Sequence, residues 1–177
     1  AATLDAGTAN VTAGSTGSSF GHVGATGAAV DLAAATPVLD NISATSLTTH
    51  TGAAGSVTQT GGQAISATTT DLHAGTGGVT LVAGNTIATY GANTTGAASF
   101  TNAGAIELGN VSAGSLAVNS NSGGANGSVT QAAGTDLTVA TGATSIAAGT
   151  GAITVGSNAS TLHSFGATGG AVSVTTQ

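Results

Sequence analysis

The sequence predicts an all-β fold, a parallel β-helix or β-solenoid of about ten short coils. Three observations carry the prediction: apolar residues alternate with small polar ones in short runs, Gly- and Asn-rich corners separate the runs, and the combined pattern recurs at a long period.

The alternation comes first. "SVTQ", "VTLV", "IATY", "IEL", "LAV", "LTV", "ITV" and "VSV" each place an apolar residue at every second position, the period of a strand with one buried face. Val, Ile and Thr supply much of each run, and β-branched side chains suit a pleated surface. No apolar stripe of helical period survives more than one turn, and the 30 Gly would weaken helix interiors. Between the runs lie "AGTGG", "GANTTG", "NSNSGGANG" and "GATGG", rich in the residues that tolerate positive φ at corners. One strand follows another at about nine residues.

Repetition then separates a solenoid from a sandwich or barrel. "GSVTQ" occurs at 55–59 and again, unchanged, at 127–131. "AGT" begins at Ala6, Ala74 and Ala148. "ISATSL" at 42–47 and "VSAGSL" at 111–116 stand one period apart, and "GATGAAVDL" at 24–32 and "GATGGAVSV" at 166–174 stand two periods apart. Residues 1–177 therefore read as one solenoid segment with about two and a half super-repeats of about 71 residues. Coils of about 18 residues give four per super-repeat and about ten in all, the reading favoured here; coils nearer 24 give about seven. Stacked ~4.8 Å apart, ten coils make a rod about 48 Å long.

The recurring "AGT" reads as a corner. Leu4, Leu72 and Ile146 precede it and should enter the core; Val11, Val79 and Ile153 should open the next strand inward. The intervening residue is Asp5, His73 or Ala147, so no side-chain chemistry persists there. Only 33 of 177 residues are Leu, Val, Ile or Phe, which raises the question of disorder. Charged residues are 3%, however, and a narrow solenoid needs only about three or four bulky residues per coil. Phe20, Tyr90, Phe100 and Phe165 are expected to stack in the core or cap it rather than form carbohydrate platforms.

Composition removes several functions. Lys and Arg are absent and the formal net charge is −6, so nothing is available to displace counterions from a nucleic acid. Cys is absent, which excludes disulfides and thiolate sites. No stretch has the length and apolarity of a membrane span, and the start "AATLDAGT" lacks the features of a signal peptide. Asp5, Asp31, Asp40, Asp71, Glu107 and Asp136 are scattered singly, whereas acid–base catalysis needs groups that converge on one bond. His22, His50, His73 and His163 follow no metal-ligand spacing, and neither a calcium nonapeptide nor a phosphate-binding loop is present. The expectation is a protein without catalytic residues, metal or cofactor. Sequons at Asn10, Asn41, Asn93, Asn110, Asn126 and Asn158 are candidate glycosylation sites, and six of ten Asn falling in sequons also fits plain turn chemistry.

Residues 55–87, "GSVTQTGGQAISATTTDLHAGTGGVTLVAGNTI", and 127–156, "GSVTQAAGTDLTVATGATSIAAGTGAITVG", resemble the repeat regions of filamentous-haemagglutinin-like exoproteins, large bacterial adhesins exported by two-partner secretion. The resemblance covers most of the chain and rests on repeat style. It implies a right-handed parallel β-helix, a location outside a Gram-negative cell or on its surface, and work in adhesion or in building a biofilm matrix. The family's secretion module carries an Asn-Pro motif, and the only proline here, Pro37, lies in "ATPVL" and does not match it. The family's heparin binding does not carry over to a chain without Lys or Arg.

Neither "TLDAGT" at the start nor "AVSVTTQ" at the end shows a polar capping unit, so self-association through uncapped ends is expected. The expected function is an extracellular structural solenoid forming a filament, matrix fibre or adhesin stalk. The alternative is an ice- or glycan-binding surface, to which Thr68, Thr69 and Thr70 or Thr94 and Thr95 would contribute hydroxyls. A polysaccharide-cleaving enzyme ranks last.

Overall fold

The computed structural model of the chain describes residues 1–156 and 159–176. It is a parallel β-solenoid of about nine turns. Among the described residues the strands run from Ala2–Asp5 to Val172–Thr175, and every strand pairing is parallel. A single isolated bridge, Ala103 with Asn121, is antiparallel.

One column of register partners measures the coil. Ala29 opposes Ser46, which opposes Thr69, then Thr89, Glu107, Thr130, Thr154 and Ser173 in turn. The steps are unequal. Across the whole ladder the shortest runs from Val23 to Leu39 and the longest from Leu116 to Thr144. A coil averages roughly 20 residues, within the range of solenoid repeats and longer than expected, so about nine turns replace the ten predicted. The extra length sits at corners. The longest step contains an outward excursion with a single 3-10 turn at Ser122–Gly124, which lengthens the coil without disturbing the strands beneath it.

Alternation places the bulky residues inward. Leu81, Phe100, Val118 and Ile146 stand in register on four successive coils, all buried. Leu47, Thr70, Tyr90 and Leu108 form a second inward column. The Tyr90 and Phe100 rings stack with centroids 4.5 Å apart, and Phe20 and Phe165 pack half-buried against the same core. Among the described residues only Val82, Val172 and Val174 are large and exposed, so almost all of the small apolar content lies in one continuous core. That use of scarce bulk resolves the question of disorder.

The "AGT" corners behave as the sequence suggested. Leu72 and Ile146 are buried and Leu4 half-buried, while Val11, Val79 and Ile153 are buried at the start of the next strand. The glycine serves two different needs. Gly7 and Gly149 adopt φ of +57° and +60°, whereas Gly75 is required because a Cβ there would collide with the Ala53 carbonyl.

Among the described residues four hydroxyls face the core without a hydrogen-bond partner: those of Thr49, Thr70, Thr144 and Tyr90. Threonine fills the volume of valine at such a position but leaves a polar atom unmet. Burial pushes the Tyr90 phenol strongly upward, far above the ordinary range for tyrosine, because the phenolate has lost its water. Tyr90→Phe removes the unmet hydroxyl and keeps the stacked ring, so the variant should be more stable by about 1 kcal/mol. In a chain of this size that corresponds to a melting temperature higher by about 2–4 °C in scanning calorimetry. An equal or lower melting temperature would show that the hydroxyl is satisfied.

Candidate functional site

Side chains with chemistry to offer gather on one outward strip. Asp31, Thr48, Asp71 and Gly91 stand in register on consecutive coils, and beside them run Ala33, His50, His73, Asn93, Ser112, Thr138 and Thr161. Residues two apart on a strand share a face, so each coil contributes one member to each column. His50 Nε2 lies 3.4 Å from Asp31 Oδ1, and His73 Nε2 lies 3.1 Å from Asp71 Oδ2. The two imidazoles stack on adjacent coils with centroids 5.3 Å apart and planes 20° from parallel. The coil thus brings Asp31 next to His50, whereas Asp71 and His73 are neighbours on one strand; the step from Asp31 to Thr48 is shorter than that from Thr48 to Asp71, so no fixed motif results.

Beside this cluster is a shallow trough of about 350 Å³, lined by Asp71, His73, Asn93, Asn110, Asp136 and Thr138, with Ala92 and Val111 among the rest. Gly91, buried beside Asp71 in the ladder, has no room for a side chain, since a Cβ there would come within 2.9 Å of the Thr70 carbonyl oxygen. Asn110 Oδ1 accepts a hydrogen bond from the Asp136 backbone N–H at 3.0 Å, which fixes one wall.

A second Asp–His pair lies elsewhere. His22 Nδ1 is 3.1 Å from both Asp40 Oδ1 and Thr60 Oγ1, and the Thr60 hydroxyl donates to the same carboxylate oxygen at 2.5 Å. The Thr60 bond first, and the His22 contact second, hold the Asp40 carboxyl below its ordinary value. His163 is exposed on the strand Thr161–Thr168. Among the described residues no group of three or more His, Asp or Glu side chains is placed to hold a metal ion, and no helix is long and apolar enough to cross a membrane.

The sequon asparagines have a structural role that the sequence did not reveal. Asn10 Oδ1 accepts from Ala29 N, Asn41 from Ala64 N, Asn110 from Asp136 N and Asn126 from Thr150 N, at 2.9–3.2 Å. In each case the donor lies one coil further on, so the side chain closes a corner where strand pairing lapses. Asn126 also donates Nδ2 to the Gly124 carbonyl and takes a positive φ of 51°. Asn93 is exposed in the histidine column and makes no such corner bond; Asn158 lies outside the described residues.

Buried amides close the inner corners. Gln59 and Asn85 form a reciprocal pair, with Gln59 Nε2 donating to Asn85 Oδ1 at 2.6 Å and Asn85 Nδ2 donating to Gln59 Oε1 at 3.0 Å. Gln59 also donates to Gln63 O and accepts from Ala83 N, while Gln131, at the same place in the second "GSVTQ", donates to Thr135 O and accepts from Gly156 N. The backbone N–H groups of Ile65, Ile87 and Leu137 each donate to a polar side chain one coil on, those of Asn85, Asn102 and Ser160. A repeated glutamine at the end of a strand was the available signal, and its meaning emerges only from the corner geometry.

None of the protein-family models, curated proteins or solved structures compared with the chain matches it.

Two outcomes test these assignments. Gln59→Ala strands the Ala83 N–H and part of the Asn85 amide in the interior, and should cost about 2–3 kcal/mol in chemical denaturation. Gln131→Ala, at a half-buried site, should cost less. Because the folded Asp40 carboxyl is depressed, its contribution to stability is present above the ordinary aspartate value of 3.8 and is lost as pH falls through the lower folded value. A carboxyl-carbon NMR titration should place the Asp40 midpoint below 3.8, with Thr60→Val raising it more than His22→Ala.

Proposed function

We propose that the chain is a structural rod outside a bacterial cell, a length of filament, matrix fibre or adhesin stalk that extends by end-to-end stacking. The observation that carries this reading is the unbroken parallel ladder, which a further coil lengthens without a new core, as the coil of Val172–Thr175 illustrates. Val172 and Val174 are 48% and 37% exposed, although they oppose Ile153 and Val155, each only 1% exposed. They occupy inward positions that no described residue covers, and the backbone of Val172–Thr175 offers its outer edge for another parallel strand. A further coil on that edge buries both valines and continues the ladder; in the proposal a second copy of the chain supplies it.

Other features support the reading. Stability is spread along the axis by coil-to-coil pairing, so length can be added without enlarging a globular core. A chain without Lys or Arg offers trypsin-like proteases no cleavage site, an advantage for a protein exposed outside the cell. The resemblance to filamentous-haemagglutinin-like repeat regions points the same way.

Electron microscopy and fibre diffraction test the proposal. The purified chain should form fibres whose axial repeat is near ~4.8 Å, the distance between strands. The double variant Val172→Asp, Val174→Asp should stay dispersed while keeping the wild-type far-UV circular dichroism. Wild-type protein that remains monomeric across a wide concentration range would sink the stacking model, as would double-variant fibres indistinguishable from wild type.

A further inference from the structure

We infer that the trough between Asp71 and Asp136 is a binding site for an uncharged oligosaccharide, a role separate from the stacking edge. Three features select this ligand class.

The first is the set of groups. Asp71 offers a carboxylate oxygen, Asn93 and Asn110 offer amides, and Ser112 and Thr138 offer hydroxyls. Acceptors and mixed donor–acceptors at close spacing are what adjacent sugar hydroxyls require, since each hydroxyl gives one hydrogen bond and accepts others. The second is charge. With carboxylates at both ends of the trough and no Lys or Arg anywhere in the chain, a sulfated, phosphorylated or uronate sugar meets repulsion, and the lining His73 is already paired with Asp71. The third is shape. The trough is lined by residues of successive coils from Asp71 to Asp136 and is open to solvent, suited to a chain lying across several coils rather than to an apolar molecule enclosed in a pocket.

The groups are also held in place before any ligand arrives. His73 is braced by Asp71 at 3.1 Å and by the His50 ring, and Asn110 is pinned by the Asp136 backbone. Such preorganisation lowers the ordering cost of binding. Asn93 stands at the centre of the strip, exposed and in register between His73 and Ser112. It makes no corner bond of the kind formed by Asn10, Asn41, Asn110 and Asn126, so its replacement reads out binding rather than folding.

Calorimetric titration of the whole chain with cellohexaose, mannohexaose and N-acetylchitohexaose, alongside a heparin oligosaccharide and a chitosan oligomer, tests the inference. At least one uncharged hexasaccharide should bind saturably and heparin should not. Asn93→Ala and Asp71→Ala should each weaken binding about tenfold, the loss expected for one hydrogen bond to a polar or charged group. Ser112→Trp, which fills the trough, should abolish it. Circular dichroism and melting temperature establish that each variant is folded. Binding by none of the uncharged sugars overturns the inference, and so does binding that survives all three substitutions. Binding of chitosan alone, lost in high salt, would show only a negatively charged strip and would equally overturn it. The stacking proposal is tested on fibres and the trough on dispersed chains, so the failure of one is distinguishable from the failure of the other.

Discussion

The hydrogen bond between the backbone of one coil and that of the next is the constraint from which the rest of this structure follows. Every described strand pairs in parallel with a strand of an adjacent coil, and each such bond contributes only about 1 kcal/mol net. Strength therefore comes from repetition along the axis. In-register pairing also aligns side chains in columns, so each inward position is packed mainly by its equivalents above and below. A coil can then manage with a few bulky residues, provided that neighbours such as Ala98 and Leu116 differ enough in size to interlock. Sparse bulk and abundant Ala, Gly, Ser and Thr follow from a narrow interior.

Corners are where that bond fails, and they explain the polar amides placed at bends and strand ends. At each turn the backbone leaves the ladder and its N–H groups need another acceptor. The protein meets this need from both sides. Outside, Asn10, Asn41, Asn110 and Asn126 reach one coil forward to a backbone N–H; inside, Asn85, Asn102 and Ser160 reach one coil back, to the N–H groups of Ile65, Ile87 and Leu137. Neutral amides and hydroxyls suit the task because they satisfy a donor without placing an ion in a low-dielectric interior. The absence of Lys and Arg is no handicap to such a fold, since none of its corners depends on a charged side chain from them.

The parts legible in the sequence are those set by local rules. Alternation in "GVTLV" identified strand and inward face, and "AGT" marked a corner because only small residues and a free φ fit there. The two "GSVTQ" runs revealed a long repeat, and Gln59 and Gln131 do the same work in their coils. The candidate site was not legible. Bringing Asp31, His50, Asp71 and His73 together requires knowing that the coil ending at Thr48 is short and the next one, ending at Asp71, is long. That difference depends on how much chain each corner stores outside the core. Corner length leaves little trace in alternation, so the columns could not be aligned. The sequons were half legible: turn chemistry was one reading of Asn-x-Ser/Thr, and at Asn10, Asn41, Asn110 and Asn126 the asparagine oxygen serves as a corner acceptor.

This division between strands and corners separates what the fold demands from what it permits. Inward positions and corner amides are constrained by packing and by unmet backbone groups, and a change at Leu81 or Gln59 is felt by adjacent coils. Outward positions on the strands carry no such demand, and most are filled by Thr, Ser, Ala or Gly. Against that background, three of the six acidic residues, Asp31, Asp71 and Asp136, and two of the four histidines fall along a single strip. Coil-to-coil pairing would be satisfied equally well by threonines there, and ion pairs this exposed contribute little to stability. On the proposed reading, the strip serves what it faces. A solenoid whose interior is nearly uniform can carry a locally distinct outer surface on a few of its coils, and the step from rod to recognition requires changes only at positions that the ladder leaves free.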